Sequence, residues 1–541
     1  MAVRSDPWRA AVSTVRPHVA VWAAAATSVT VVILHYLALD RVPPGFFIDE
    51  AGVSYAAQGI ALDGRDEHGA AWPLYFQAFG EWKNPIVIYA IAGAFRLFGP
   101  SVVAARAVPT TFALLTAVLL GLLAWRISRS RWLAWGTFAV AAITPWLFTV
   151  GRMAFEVAAL PTLLALFLLL WHRAQSDDDW RWAVRGGVAL GLAAYAYSTA
   201  RLFVPLLLVA LVVAELSLSR WRLLVAIAVT VGAMMFPILL FNAEHPGSLL
   251  ARYQLISVFA DSHSRWESIA RVWRTYTSAF SPSLLFMQAL WIQGGEFFLA
   301  LAPLLAAGVV GLWRRRRDPY FRFVALGLVL APVPAALTYD FSHELRNMEA
   351  VPFFAVVMVL GVMELAPLLT RQRALAAAMA AVLGLQAVSY LSDYFTRTPE
   401  RMSGWQQEGL QQAVRDAQAA SGGMAPVVVS SHVFSGDFMY AFYSGEDVRT
   451  YRARGVTGAT YRPLDGPLPP ATVVLTMPDE KVPLAEVIEE VKVTHPDSWG
   501  RPDSRVVYRL WRTAGAQGPP VRQPSTPHSG ESGIGSLPTG S

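Results

Sequence analysis

Apolar runs separated by short arginine-bearing turns fill most of the chain. At roughly 20 residues per bilayer crossing they predict about eleven transmembrane helices, at 19–39, 102–125, 132–149, 154–171, 186–197, 202–216, 223–241, 296–313, 321–337, 351–369 and 374–391. A further run, 86–98, is short and carries Arg96, which predicts an element at the interface or only partly in the membrane. After 392 the pattern changes. A helical period near 406–420 is followed by the strand-like runs PVVVSS, RTYRA, ATVVLTM and RVVYRLW, separated by Gly and Pro. Residues 393–513 therefore read as a small α/β domain. Residues 514–541, rich in Gly, Pro and Ser, read as a disordered tail.

Composition and charge fix the class. The 541 residues are 55% hydrophobic and 15% charged, too apolar for a soluble enzyme of this length, so the chain reads as a polytopic α-helical membrane protein. The absence of Cys excludes disulfides, thiolate metal sites and cysteine nucleophiles. The net charge of +6 does not mark a nucleic-acid surface, because the arginines cluster between apolar runs. Arg4, Arg9 and Arg16 precede the first run, which predicts a cytoplasmic amino terminus and a retained anchor. Eleven spans then put Arg126, Arg129 and Arg131, the Arg173 to Arg185 turn, Arg220 and Arg222, Arg314 to Arg317, and Arg371 with Arg373 on the inside, as the positive-inside rule requires. The outer face receives a first loop at about 40–85, the segments TPWLFTVGRMAFE and TYDFSHELRNMEA, the long loop 242–295 and the α/β domain.

The chemistry concentrates in the first outer loop. It crowds Asp49, Glu50, Asp66, Glu67, Glu81 and Lys83 among aromatics and prolines, and Lys83 is the sole lysine before Lys481. Charge beside a membrane span needs a partner. An isolated Asp-Glu pair is also a common helix start. Other outer segments offer Arg152 and Glu156, and His343, Glu344 and Arg346.

The blocks FIDEAGVSYAAQGI, WPLYFQAFGEWKNPIVIYAIAGAFRLFG, AARAVPTTFALLTAVLLGLLAWRI, TPWLFTVGRMAFE and HELRNMEAVPFFAVVMVLG, in that order, resemble the bacterial branch of glycosyltransferase family 39. Its relatives are the protein O-mannosyltransferases and the lipid A aminoarabinose transferases. The resemblance implies a GT-C fold and transfer of a sugar from a polyprenyl-phosphate carrier to an acceptor on the outer side of the membrane. It also implies that Asp49 and Glu50 lie at the reaction centre, with Lys83 near the lipid phosphate. The chain reads Glu81-Trp82-Lys83-Asn84-Pro85 where the aminoarabinose branch has Glu-Lys-Pro, which leaves the role of Glu81 open.

The residue types suit that chemistry. An acceptor hydroxyl needs a base, for which Asp49 is the candidate with Glu50 beside it. The phosphate leaving group needs cations rather than a second acid, and Lys83, Arg152 and Arg346 are expected to supply them, supported by Glu81, Glu156 and His343. A single displacement would invert the anomeric centre. A divalent metal is an open expectation: Asp49 and Glu50 would suit Mg²⁺ or Mn²⁺, and His245 would allow Zn²⁺. The expected partners are membrane lipids, the polyprenyl-phosphate-linked sugar, mannose-like or other, and an acceptor protein, lipid or envelope glycan, with no nucleic acid. The expected location is a bacterial plasma membrane. Two other functions fit a polytopic chain, a transporter or flippase of lipid-linked sugars and a non-catalytic scaffold displaying the outer domain. The first should show paired broken spans in matching halves, and no such symmetry is visible in the sequence.

Overall fold

The computed structural model describes residues 17–215, 219–259, 264–288, 294–338, 343–434, 436–454, 459–496 and 501–514. The expected tail after Ala514 and the leading arginines lie outside them. The main helices are α1 (Pro17–Tyr36), α2 (Ile48–Asp63), α3 (Pro85–Phe98), α4 (Val102–Ser128), α5 (Arg131–Ile143), α6 (Pro145–Gly151), α7 (Ala159–Asp177), α8 (Trp180–Ala193), α9 (Ala200–Ala214), α10 (Trp221–Glu244), α11 (Ala302–Arg314), α12 (Pro319–Leu330), α13 (Val351–Arg371), α14 (Arg373–Thr396), α15 (Leu410–Ser421), α16 (Gly436–Ser444) and α17 (Val448–Arg454). Shorter helices are named by their ranges.

Among the described residues, seven helical segments are long and apolar enough to cross a bilayer, built on α1, α4, α7, α10, α12, α13 and α14. An eighth expected span is broken. α5 and α6 meet at 56°, because Pro145 has no N–H to continue the helical ladder and Thr144 before it is extended (φ −57°, ψ 130°). The N–H of Trp146 bonds instead to the Glu296 carbonyl at 3.1 Å. The other three expected spans fall on the shorter helices α8, α9 and α11. The short run ending in Arg96 and Phe98 is α3, 14 residues long, opened by Pro85 at its first turn. The long loop 242–295 contains helices of its own, including Ala251–Ile256 and Arg265–Ser278.

The carboxy-terminal part is a five-stranded sheet in the order β4-β3-β5-β7-β6, formed by β3 (Val427–Ser430), β4 (Ala459–Arg462), β5 (Val473–Thr476), β6 (Ala485–Pro496) and β7 (Pro502–Thr513). Strands β4, β3 and β5 run parallel, and β7 pairs antiparallel to both β5 and β6. Three of the four strand-like runs are strands. RTYRA is not: it lies in helix α17. Its alternation is overridden because Tyr451 and Arg452, neighbours in sequence, both turn to α2, Tyr451 packing edge-on to Tyr55 and Arg452 donating to Asp63, Arg65 and Asp66.

The carboxy-terminal sheet unit is therefore fastened to α2 and the residues just before it. Phe442 of α16 stacks on Phe46 with ring centroids 5.1 Å apart, and Phe438 meets Tyr55 edge-on. Gly45 sits at the join with φ +62°, where a Cβ would stand 2.0 Å from the Gln406 carbonyl oxygen; the Phe46 N–H donates to that same oxygen at 2.8 Å.

Glu67, just beyond α2, is buried at 1% exposure. Its carboxylate has no hydrogen-bond partner, although His68 Nε2 lies 3.9 Å from Oε1. Burial, with Asp66 adding to it, pushes the carboxyl up from 4.5 to about 8. A folded value above the unfolded one means that the native state holds a proton which the unfolded state has released. The stability tied to Glu67 is thus complete below about pH 4.5 and is lost as pH rises through 8. Melting of the detergent-solubilised protein across that window should fall with pH, and Glu67→Gln should flatten the fall. An unchanged slope in the variant would refute this.

Candidate active site

A cavity of about 440 Å³ opens between the segment that carries Asp49 and Lys83 and the helix ends near Glu156, Arg201 and Arg346. Its polar wall carries three carboxylates, Asp49, Glu81 and Glu156, and three cations, Lys83, Arg201 and Arg346. Its apolar wall includes Leu202, Leu249, Leu250, Tyr253 and Leu337.

Lys83 owes its place to a hairpin. β1 (Phe76–Ala78) pairs antiparallel with β2 (Glu81–Lys83) through the two residues Phe79 and Gly80, both at positive φ, the backbone a tight hairpin requires. Side chains alternate along a strand, so Glu81 and Lys83 share one side and Trp82 faces the other way in the pleat. Lys83 Nζ donates to Asp49 Oδ1 at 2.8 Å and to Glu81 Oε1, and lies 5.6 Å from the Phe79 ring. Burial alone would pull its ammonium down, but Asp49, Glu156 and Glu81 outweigh burial and hold it above the ordinary lysine range. The site thus keeps a fixed positive charge. An ammonium has three N–H donors, and two are engaged.

Asn84, the next residue, ties the second half of the site together. It is fully buried, donates Nδ2 to Glu156 Oε2 at 2.7 Å and to Ser198 Oγ at 3.3 Å, and accepts from Arg201 Nη2 at 2.8 Å. Glu156 Oε1 and Arg201 Nε have no hydrogen-bond partner. Arg201, at the start of α9, also lies 4.5 Å over the Tyr75 ring. Arg346 is 4% exposed and donates to Thr338 Oγ1.

Six of the expected site residues thus divide into those the fold brings together and those it does not. Asp49, Glu81, Lys83, Glu156 and Arg346 share the cavity. Glu50 does not, and its expected catalytic place is corrected. Asp49 and Glu50 lie in the first turn of α2, and successive helical residues diverge by about 100°. Glu50, fully buried, turns away to Arg106: Oε1 accepts from Arg106 Nε at 2.9 Å and from the Ala154 N–H at 2.7 Å, and Oε2 from Arg106 Nη2 at 2.8 Å and from the Phe47 N–H at 3.0 Å. Its helix-start role and its buried pairing use every lone pair.

Arg152 is also corrected as a phosphate ligand. It is 0% exposed, and its two terminal nitrogens donate to the carbonyls of Leu34, His35, Leu37 and Val42 at 2.5–2.9 Å. Arg106 does the same to Leu39, Pro43 and Gly45. Two buried arginines thereby clamp the backbone from the end of α1 to Gly45, just before α2. His343 opens the short helix His343–Arg346, and its side chain lies outside the described residues.

The expected metal set is not assembled. Glu50 has no lone pair to give, Asp49 is paired with Lys83, and the exposed His245 ring stacks on Phe241 and meets Trp82 edge-on. Among the described residues, no group of three or more His, Asp or Glu side chains converges as metal ligands would.

Arg106, Arg201 and Asn84 were not singled out in the sequence. Arg106 and Arg201 stand inside or at the edge of an apolar run away from the arginine-bearing turns. That placement is itself the signal, since isolated charge in a span marks a buried partner or a site.

Residues 66–244 match the family model described as dolichyl-phosphate-mannose-protein mannosyltransferase. No curated protein matches the chain. Among solved structures, ArnT from Cupriavidus metallidurans bound to undecaprenyl phosphate is similar over 91% of this chain and 99% of that one, with TM-score 0.58 and 13% identity. The same protein in the apo state is similar over 92% and 100%, with TM-score 0.57 and 13% identity. The resemblance read from the sequence is borne out, and the fold is the GT-C fold of multi-pass membrane glycosyltransferases, carrying a small carboxy-terminal sheet unit.

Proposed function

We propose that this chain is a membrane glycosyltransferase that moves a sugar from a polyprenyl-phosphate donor to an acceptor hydroxyl on the outer face of a bacterial plasma membrane. The observation that carries the reading is one cavity with three kinds of wall: carboxylates, fixed cations and apolar side chains. A polyprenyl-phosphate sugar has the matching three parts.

In this reading Asp49 accepts the hydroxyl proton as the hydroxyl oxygen bonds to the anomeric carbon. The bond from that carbon to the phosphate oxygen breaks, its electron pair leaves with the phosphate, and the configuration inverts. Lys83, Arg201 and Arg346 hold the departing charge. Glu156 Oε1, lacking a partner at the cavity wall, accepts from a sugar hydroxyl. The prenyl chain lies along Leu202, Leu249, Leu250 and Leu337. The ArnT structure named above holds undecaprenyl phosphate, which supports the same donor class here. The amino terminus then lies in the cytoplasm, with the sheet unit outside.

The test is transfer itself: release of polyprenyl phosphate from a polyprenyl-phosphate-linked sugar by the purified protein, with envelope extract as acceptor. A charged hydrogen bond contributes about 1.5–3 kcal/mol, so Lys83→Met should weaken polyprenyl-phosphate binding roughly 10- to 100-fold, measured by displacement of a fluorescent prenyl phosphate. Undiminished binding would remove Lys83 from the phosphate site. No release by the wild-type protein with any lipid-linked sugar would remove the reading.

A further inference from the structure

A second cavity, about 620 Å³, is lined in part by Val42, Pro44 and Gly45, in the segment that leads into α2. Its floor is formed where three transmembrane helices meet the membrane surface: Ala38 and Asp40 just after α1, Val102 at the start of α4 and Phe395 at the end of α14. Its roof is the outer sheet unit, through Arg415 of α15 and Lys492 of β6. The crevice therefore sits at the depth of lipid headgroups. α1 and α14 are the least buried spans, each only 11% buried inside the protein, and present Val29, Ile33, Leu385 and Val388 outward. A lipid between their outer ends would have apolar surface below it.

The charges in the crevice favour an anion. Arg41, Arg415 and Lys492 line it against Asp40 and Glu408, and Glu408 is engaged by His495 Nε2 at 2.7 Å. Arg41 lies 3.5 Å from Asp40 and Lys492 3.5 Å from the half-buried Glu490, and both cations are themselves exposed, so a phosphate displaces these partners readily. Arg415 is exposed.

We propose that this crevice binds the phosphate headgroup of an anionic phospholipid from the leaflet on the side of the outer sheet. The site is separate from the reaction cavity and does not depend on the reaction proposed above. Each basic residue near an anionic lipid surface strengthens binding several-fold, so losing two should weaken it by roughly tenfold or more.

Native mass spectrometry of the full-length protein, released from detergent containing phosphatidylglycerol or phosphatidylcholine, tests this. Phosphatidylglycerol should be retained about tenfold better than phosphatidylcholine, and the preference should nearly vanish in the double variant Arg415→Gln/Lys492→Gln. Arg41→Gln, on the opposite wall, should reduce it in part. Because these side chains are exposed, melting should be unchanged. Equal retention of the two lipids, or a preference intact in the double variant, would overturn the proposal. So would complete displacement of phosphatidylglycerol by excess glycerol 3-phosphate, which would mark a site for a soluble phosphate rather than a lipid.

Discussion

Asp49→Asn is expected to lower sugar transfer by about 10²–10⁴-fold, the usual contribution of a general base, while the protein inserts and melts as the parent does. Asn keeps the shape of Asp and accepts a hydrogen bond from Lys83, but it cannot take a proton from a hydroxyl. Lys83, 7% exposed, keeps Glu81 as its partner, so the substitution leaves no buried charge stranded. Turnover should fall at every pH, and donor binding should be nearly retained, because the phosphate is held by other groups. Transfer equal to wild type by purified Asp49→Asn would end the assignment of the base. A matching loss in donor affinity would turn Asp49 into a residue that only orients Lys83.

The largest effect on stability should come from the Glu50 and Arg106 pair. Both are fully buried, and breaking such a pair on one side costs about 3–5 kcal/mol. Glu50→Gln and Arg106→Met should each lower the melting temperature of the detergent-solubilised protein sharply and reduce membrane yield. Replacing a buried ion pair by apolar residues is often neutral, but the double variant Glu50→Leu/Arg106→Met should not recover here. The Phe47 and Ala154 N–H groups and the Leu39, Pro43 and Gly45 carbonyls would all lose their partner, and unmade bonds of buried backbone groups are expensive. A double variant as stable as wild type would show that the pair is dispensable.

Much of this architecture was legible in the chain, and the parts that were not share a cause. Spans and arginine-bearing turns are local signals, and each expected span falls on a helix or on the bent α5 and α6 pair. The acidic and lysine loop drew notice because its charges are crowded among aromatics and prolines, and five of its expected residues and partners do converge. Arg152 and Glu50 were misread because the groups that engage them are far off in sequence. The carbonyls held by Arg152 lie 110 to 118 positions earlier, and Arg106 is 56 positions after Glu50. A side chain next to a membrane edge looks the same whether it meets a phosphate or the backbone of another segment. Asn84 followed the same logic: it departs from the family spelling, and only the fold shows it joining Glu156 to Arg201.

The arginine clamps also say something about how a substrate gets in. With Leu34, His35, Leu37, Leu39, Val42, Pro43 and Gly45 tied down by two guanidiniums, the wall beside the first span is a fixed jamb. Under the proposed function, a carrier lipid travelling within the leaflet would then enter past the apolar lining at Leu202, Leu250 and Leu337. Bulky residues there would bar the doorway without touching any charged group.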